Sequence, residues 1–153
     1  MRVVVQRVSR ARVSVRGERV GEVGRGLFVL VGVGRESTVA DARWLADKVQ
    51  GLRLFTAPGA DGATGPMDAS VAEIGGGVLA ISQFTLYGDT RKGRRPSFIG
   101  AAAPEQAEPI YEAFCAALSV PVARGVFGAH MVIEAAADGP VTLVLQREAG
   151  VNR

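Results

Sequence analysis

The sequence has few of the residues that build metal, disulfide or histidine-based sites. Its 153 residues include one cysteine, one histidine and one tryptophan. The lone Cys115 has no partner for an internal disulfide, and no paired Cys/His spacing is typical of a zinc site. The sequence therefore predicts a protein of the reducing cytoplasm that uses neither a metal ion nor another cofactor.

Long apolar runs are also missing. The opening residues, MRVVVQRVSRARV, carry an arginine every few positions, so they predict neither a signal peptide nor a membrane span. Hydrophobic residues make up 48% of the chain and charged residues 22%, which is ordinary for an ordered globular protein. The net charge of +3 permits an RNA partner without establishing one. We expect a single domain spanning residues 1–153.

The first third of the chain has the patterns of strands followed by a helix. β-branched and apolar runs predict strands at residues 3–8, 11–15, 20–23 and 27–33. The polar turn between the second and third of these predicts a hairpin. From Ser37 onward, apolar residues recur at steps of three and four, which predicts an amphipathic helix capped by Ser37 or Thr38.

The rest of the chain predicts further strands around a second helix. Pro104 opens the helix, whose apolar face includes Ile110, Tyr111 and Phe114. The remaining predicted elements are strands at 54–55, 78–81, 120–122, 131–135 and 141–146, a mobile loop at 57–66, a turn at 136–140 and a frayed tail at 147–153. Together the elements predict a mixed α/β domain in which two helices cover a curved, barrel-like and largely antiparallel sheet.

Glycines between a strand and a helix raise the possibility of a dinucleotide site. They are Gly32 and Gly34, but Ser37 stands where a third glycine is needed, and the segment around Phe55 offers no acid for a ribose. Turn and helix-cap roles account for these residues better. Cys115 likewise lies within an apolar helical face, which favours a place in the core over a role as nucleophile.

The single histidine, His130, raises the possibility of a catalytic triad. It would activate a nearby hydroxyl and be oriented by an aspartate; the candidates are Ser82, Thr85 and Ser97, with Asp89 or Asp138. A lone histidine between Ala129 and Met131 is more often a partly exposed polar residue, and we favour that interpretation.

The segment SQFTLYGDTRKGRRPSF, residues 82–98, combines hydroxyls with concentrated positive charge. A buried strand leads into it, and four basic residues surround Gly93, namely Arg91, Lys92, Arg94 and Arg95. Runs of surface charge are commonly solvated, but here Ser97 and Phe98 add a hydroxyl and an aromatic ring of the kinds that contact phosphate and exposed bases. The loop therefore favours phosphate binding.

A second motif, Asp138-Gly139-Pro140, has the pattern of a hairpin turn before the last strand. A glycine before a proline also lets backbone carbonyls approach a ligand, and such a bond can be cis. On the residues alone, the turn is the better interpretation.

These two motifs together resemble the D-aminoacyl-tRNA deacylase family, also called D-tyrosyl-tRNA deacylases. The resemblance covers essentially the whole chain, from QRV with Arg7, through SQFTLY and DTRKGRRPSF, to GPVT at 139–142. Departures from the family pattern are Ala137, His130 and the segment Pro66-Met67-Asp68. The departure at His130 weakens the triad, because the family usually has an aspartate there.

The resemblance implies a cytoplasmic homodimer that hydrolyses the ester of D-aminoacyl-tRNA, or of glycyl-tRNA, as a chiral proofreader. It implies a cis bond at Gly139-Pro140, which enters the partner's active site, rejects L-amino acids and is supported by Arg7, with Met131 also at the substrate. Main-chain amides of Phe84 and Thr85, within the motif that begins Ser82-Gln83, would stabilise the oxyanion while water attacks with help from the tRNA 2′-hydroxyl.

Two alternatives remain open. Thr85 would be a nucleophile if a base were available to it. The basic loop by itself would also suit an RNA-binding module without catalysis, with tRNA contacts at Arg91, Lys92, Arg94 and Arg95.

Overall fold

The computed structural model describes residues 1–58 and 65–148. The strands are β1 Arg2–Val15, β2 Glu18–Val23, β3 Gly26–Gly32, β4 Gly77–Ser82, β5 Val122–Arg124 and β6 Val132–Gln146. The helices are α1 Val39–Gly51 and α2 Pro104–Ala116, with a short 3₁₀ helix at Phe84–Tyr87.

The sheet has the strand order β2-β1-β3-β4-β5, and β6 pairs with the other edge of β1. All pairs that include β1 are antiparallel, whereas β3, β4 and β5 are parallel to one another. Parallel neighbours require crossover connections, and α1 and α2 supply them. Both helices lie on one face of the sheet and contact each other. The prediction of a mixed α/β fold with two covering helices is confirmed.

The sheet curls until its end strands approach. A Cβ at Gly21 of β2 would lie 2.5 Å from the carbonyl oxygen of Arg124 in β5. One apolar cluster fills the space between the sheet and the helices, and a smaller one, which includes Val13, Leu79 and Ile81, lies on the other face. The prediction of a curved, barrel-like sheet is thereby confirmed.

Helix α1 begins where its sequence predicts. Thr38 is the N-cap, and its hydroxyl accepts a hydrogen bond from the Asp41 amide at 3.2 Å. The Asp41 carboxylate in turn accepts one from the Thr38 amide at 2.9 Å, which completes a reciprocal capping box. Ser37 supports the preceding turn, since its hydroxyl accepts a hydrogen bond from the Gly34 amide at 2.9 Å. Turn and cap roles are confirmed for this segment.

The prediction of two separate strands at 3–8 and 11–15 is wrong, because β1 is continuous. One edge of β1 pairs first with β3 and then with β2, while β6 follows the other edge for nearly its whole length. Pairing with β6 on both sides of its irregularities holds the two predicted segments in one strand.

The predicted turn at 136–140 is also wrong. Val8 pairs with Ala137 and Gln6 pairs with Thr142, so residues 138–141 of β6 lie opposite Arg7 alone. The segment is therefore a bulge of four residues opposite one, inside a single long strand. Proline fits such a position because it has no N–H to contribute to a ladder.

Several smaller predictions differ in extent. Phe55 forms only an isolated bridge with Ala69, and β5 begins at Val122 rather than at 120. Most of the loop predicted at 57–66 and of the tail predicted at 147–153 lies outside the described residues.

Candidate active site

The predicted catalytic segment begins where β4 ends. Ser82 pairs with Val31 of β3, and the Gln83 amide donates to the Val31 carbonyl at 2.8 Å. The chain then turns into the 3₁₀ helix Phe84–Tyr87 instead of continuing as a strand. This turn directs Phe84 and Thr85 outward, and both side chains are exposed.

The amides of Phe84 and Thr85 open the 3₁₀ helix. The first N–H groups of a helix have no acceptor within it, and the N-cap residue Gln83 supplies no side-chain acceptor. Among the described residues, neither amide donates a hydrogen bond to another group. Two main-chain donors are therefore free to bind a ligand oxygen.

The hydroxyl of Thr85 is engaged locally. Its Oγ1 accepts a hydrogen bond from Nε2 of Gln83 at 2.5 Å. No basic side chain contacts that hydroxyl in the described parts of the chain, so the structure shows no group that would take its proton. Within the described residues, Thr85 has no neighbouring base of the kind that a nucleophile requires.

A cavity of about 670 Å³ opens beside this segment. Phe84 and Phe98 meet edge to face at its rim, with ring centroids 5.1 Å apart. Its lining is mostly apolar and includes Val31, Val33, Ser82, Phe127 and the small residues at 101–103. The sequence did not predict Phe127 or the alanines at 101–103 as part of a site. The run AAAP before α2 was the available signal, because small side chains leave room for a cavity.

The basic loop projects from the same region. Asp89 and Ser97 exchange main-chain hydrogen bonds at 2.8 and 2.9 Å, which closes the loop at its base. Gly93 has φ +73° at the tip, a conformation that favours glycine. All four predicted basic side chains are exposed, namely Arg91, Lys92, Arg94 and Arg95.

The four basic residues are not equivalent. The Arg91 guanidinium binds the Asp89 carboxylate, with its Nη2 2.6 Å from Oδ2. These hydrogen bonds hold the pKa of Asp89 well below its usual value, at about 2, so the pair is charged and mutually neutralised at neutral pH. In the described residues, Lys92, Arg94 and Arg95 make no such pair, which leaves their charge available to a ligand.

Gly139 and Pro140 lie exposed in the bulge of β6, and the peptide bond between them is cis. Gly139 has φ +126°, which L side chains rarely adopt. Arg7 lies behind the bulge with a side chain only 11% exposed. Its Nε donates to the Asp138 carbonyl at 3.1 Å, and its Nη1 donates to the Leu54 carbonyl at 2.6 Å. The bulge is thus anchored from the protein interior.

One copy of the chain does not bring the two motifs together. Ser82 pairs with Val31, which is opposite Val3 of β1, whereas the bulge is opposite Arg7. The four residue steps from Val3 to Arg7 span about 13 Å along the strand. The two motifs are also on opposite sides of β1, so neither completes a site with the other inside one protomer.

Met131 lies at the base of the catalytic segment rather than at the bulge. Its sulfur occupies the space in front of Gly125, where a Cβ would lie 2.4 Å away, and Ile81 borders the same space. Met131 is half-buried and packs against the smaller apolar cluster.

The alternative triad is not assembled. His130 is exposed and makes no hydrogen bond to the described residues. Asp89 binds Arg91, Asp138 binds Arg7, and the Thr85 hydroxyl binds Gln83. Cys115 is 2% exposed, and burial raises the pKa of its thiol, as expected for a core residue rather than a nucleophile.

Residues 1–58 and 65–148 contain no helix that combines the length and the apolar character needed to cross a membrane. Nor do three or more His, Cys, Asp or Glu side chains in that part of the chain come together as metal ligands would.

Solved structures share this architecture. The structure of a c-Myc DNA unwinding element binding protein aligns with a TM-score of 0.86 at 37% identity, over 96% of this chain and 99% of that one. A probable eukaryotic D-amino acid tRNA deacylase aligns with a TM-score of 0.77 at 20% identity, over 94% and 97%, which shows a common fold.

Sequence comparisons identify the family. D-aminoacyl-tRNA deacylase of Symbiobacterium thermophilum is 54% identical over 151 residues, covering 97% of both chains. The deacylase of Desulforudis audaxviator is 55% identical over 148 residues, covering 95% of this chain and 96% of its own. The family model described as D-Tyr-tRNA(Tyr) deacylase matches residues 4–146. The resemblance noted in the sequence is confirmed, and the chain belongs to the D-Tyr-tRNA(Tyr) deacylase family.

Proposed function

We propose that this protein, a D-aminoacyl-tRNA deacylase by family, hydrolyses the ester between a D-amino acid and the terminal ribose of tRNA as a proofreading step in the cytoplasm. The observation that carries the proposal is the pair of free amides at Phe84 and Thr85, placed at the mouth of a cavity large enough for a nucleoside. Main-chain donors at that position suit an ester carbonyl that becomes an oxyanion.

The reaction needs no side-chain nucleophile. Water adds to the ester carbonyl carbon, and the negative charge that develops on the carbonyl oxygen is stabilised by the two amides. The bond from carbon to the ribose oxygen then breaks, the proton from water passes to that oxygen, and the amino acid leaves as a free carboxylic acid. The neighbouring 2′-hydroxyl of the tRNA assists the water, which agrees with the absence of a basic side chain at Thr85 in the described structure.

The cavity between the catalytic segment and α2 receives the terminal adenosine. Its apolar walls and its aromatic side chains, Phe84, Phe98 and Phe127, suit an unstacked base. Because Ser82 and Phe84 belong to the lining, an adenosine bound there would carry its ester directly to the free amides. The basic loop at Lys92, Arg94 and Arg95 would then contact the tRNA phosphates.

Selection against L-amino acids comes from the bulge at Gly139 and Pro140 of a second copy. The bulge is exposed, is anchored by Arg7 and cannot reach the catalytic segment of its own chain. When the ester and the amino group are both held, an L side chain would meet this main chain, whereas a D side chain would point away. Glycine has no side chain to reject, so glycyl-tRNA is also a substrate.

Strand β6 supports a homodimer with active sites at the interface. Its only partner in the described sheet is β1, so its outer edge has unpaired main-chain groups. Val132 and Val144 on this strand are 58% and 71% exposed, which is unusual for large apolar side chains outside an interface. Docking of a second copy along β6 would cover both residues and bring its bulge to the first copy.

The test is incubation with matched D- and L-aminoacyl-tRNAs that share the same amino acid side chain and tRNA. Selective loss of the D-acyl group, and loss of glycine from glycyl-tRNA, is the expected result. Retention of both acyl groups, with salt-sensitive binding of the RNA, would instead favour an RNA-binding module without catalysis.

A further inference from the structure

A second cavity of about 380 Å³ adjoins the proposed adenosine site. Its lining includes Arg2, Ser37, Tyr87, Gly100 and Glu148. Four charged residues line it, whereas Arg35 is the one charged residue in the lining of the first cavity. None of these residues was predicted from the sequence to contact a ligand.

The two cavities share a boundary. Gly34 pairs with Ala101 in an isolated bridge; Gly34 lines the second cavity and Ala101 lines the first. Arg35, the residue after Gly34, lines both cavities. The link between the two parts of a ligand that occupies both cavities would therefore lie beside Arg35.

Hydrogen bonds hold the main chain of Arg35, whereas its side chain is not bonded to the described residues. The Arg35 amide donates to the Gly100 carbonyl at 3.2 Å, and Nε2 of Gln106 donates to the Arg35 carbonyl at 2.7 Å. Its side chain is exposed and forms no hydrogen bond or ion pair with the described residues. The positively charged side chain of Arg35 therefore lies at the boundary of the cavities with no partner among the described residues.

The charges around the second cavity favour a base over a second phosphate. Arg2 and Arg35 are balanced there by Glu36 and Glu148, so a phosphate inside would meet two carboxylates. A base with both amino and carbonyl groups can use both kinds of side chain, as when a carboxylate accepts from the cytosine amino group. Two contacts link the residues of this wall: the Arg2 guanidinium lies 4.5 Å from the Tyr87 ring centroid, and the Tyr87 hydroxyl donates to Glu148 at 3.2 Å.

We propose that the second cavity binds the nucleotide that precedes the terminal adenosine of tRNA, and that Arg35 binds the phosphate linking the two. This inference rests on the proposed function, which places the terminal adenosine in the first cavity. The linking phosphate of two neighbouring nucleotides then lies at the boundary where Arg35 stands. Arg35 is a positioning residue, and its contact improves binding of the acceptor end rather than the chemical step.

The first test is a cycle of two changes, one in the protein and one in the RNA. D-aminoacyl-tRNA is prepared with its last internucleotide linkage either natural or replaced by a neutral methylphosphonate. The neutral linkage should raise KM about tenfold for the wild-type protein, because one charged hydrogen bond is lost. Arg35→Gln should raise KM similarly on natural tRNA and show little further response to the neutral linkage, with kcat nearly unchanged in each case.

Control variants separate this contact from a general loss of positive charge. Arg43→Gln removes an exposed arginine from α1 and should remain as sensitive to the neutral linkage as the wild type. Arg35→Lys should recover part of the sensitivity to the neutral linkage, because lysine keeps the positive charge but not the bidentate geometry of the guanidinium. Equal sensitivity of wild type and Arg35→Gln would overturn the assignment of Arg35.

The second test removes the base of the penultimate nucleotide and keeps its sugar and phosphate. KM should rise several-fold, and removal of the next base upstream should have a smaller effect. If the wild-type protein is indifferent to both the abasic change and the neutral linkage, the second cavity is not a nucleotide site. Such indifference would contradict the nucleotide site but not the proposed D-selective hydrolysis. If unmodified D-aminoacyl-tRNA is not hydrolysed at all, the proposed function itself is contradicted.

Discussion

The guanidinium of Arg7 holds the main chain immediately before Gly139. Nε of Arg7 lies 3.1 Å from the Asp138 carbonyl oxygen and 3.4 Å from the carboxylate of the same residue. Nη1 of Arg7 binds the Leu54 carbonyl, so one largely buried side chain joins three segments of the fold. The position of the bulge is therefore set by a residue more than a hundred positions earlier in the chain.

Arg7→Ala should reduce both stability and chiral selection. Charge-assisted hydrogen bonds to two carbonyls are lost, which should lower the free energy of unfolding by about 2–4 kcal/mol. The bulge also loses its anchor, so the ratio of D- to L-aminoacyl-tRNA hydrolysis should fall. Chemical denaturation and paired deacylation assays measure the two effects.

Arg12→Ala is the matched control for Arg7→Ala. Arg12 is on the same strand and also bonds to β6, through the Glu134 carboxylate at 2.6 Å, but both side chains are at least half exposed. Exposed ion pairs contribute little, so stability should change much less than in Arg7→Ala. An unchanged D/L ratio in Arg7→Ala, at a temperature where the protein remains folded, would separate Arg7 from chiral selection.

Local patterns in the sequence were sufficient for the helices and for most of the strands. Thr38 and Asp41 are neighbours in the chain, and their capping box depends on nothing distant. The parallel arrangement of β3, β4 and β5 was not predicted, although the order strand, helix, strand, helix, strand indicates crossovers of that kind.

Distant contacts explain the predictions that were wrong. Asp138-Gly139-Pro140 has the same local pattern in a turn and in a bulge, and the pairing of β6 with β1 decides between them. The cavity was missed for a similar reason, since Phe98 and Phe127 are far apart in sequence and meet only in the folded protein. By contrast, the pairing of Arg91 with Asp89 involves residues two apart and was open to prediction.

Thr85→Ala should remain an active deacylase. The substitution removes a hydroxyl that binds Gln83 but keeps the main-chain amide that we assign to the oxyanion. We expect kcat to fall by less than about tenfold, whereas loss of an essential nucleophile costs roughly ten-thousandfold or more. Single-turnover deacylation of D-aminoacyl-tRNA measures the effect. A loss of that larger size, with an acyl-enzyme trapped on the wild type by acid quenching, would establish Thr85 as the nucleophile.

Neutralising Arg94 and Arg95 together should weaken tRNA binding regardless of the attached amino acid. Each phosphate contact that is lost should reduce the slope of log K against log salt by about 0.7 to 0.9. Binding titrations of the Arg94→Gln/Arg95→Gln variant at several salt concentrations provide the measurement.

The control for the loop is the double variant Asp89→Asn/Arg91→Gln. It removes the existing ion pair and leaves the net charge of the protein unchanged, so the salt slope should stay near that of the wild type. If Arg94→Gln/Arg95→Gln also leaves the slope unchanged, the basic loop is an ordinary solvated surface.

Tyr87 should make the protein sensitive to alkaline pH. Burial, helped by the nearby Glu148 carboxylate, raises the pKa of Tyr87 from 10.0 to about 12. Between these values the unfolded chain releases the phenol proton while the native protein keeps it, so stability falls as pH rises above 10. Below pH 10 both states are protonated, and Tyr87 adds no pH dependence there.

The measurement compares unfolding free energies of the wild type and Tyr87→Phe from pH 9 to pH 11.5. The wild type should lose more free energy of unfolding than the variant over this range, because only the wild type has the phenol whose native pKa is raised. The second tyrosine, Tyr111, is present in both proteins and cancels in the difference. Parallel curves for the two proteins would show that Tyr87 ionises in the native state at its ordinary pKa.

Gly139→Ala should impair chiral selection more than it impairs folding. At φ +126° an L side chain is strained, and the new Cβ would lie 3.0 Å from the Val141 amide nitrogen and 3.1 Å from Nη2 of Arg7. The bulge must therefore shift, at a cost of about 1–3 kcal/mol. Gly17→Ala is the control, because Gly17 has φ +83° but open surroundings in the β1–β2 turn. Both variants should lose stability, yet only Gly139→Ala should lower the D/L ratio of deacylation. A ratio unaffected by Gly139→Ala would remove the bulge from the selection mechanism.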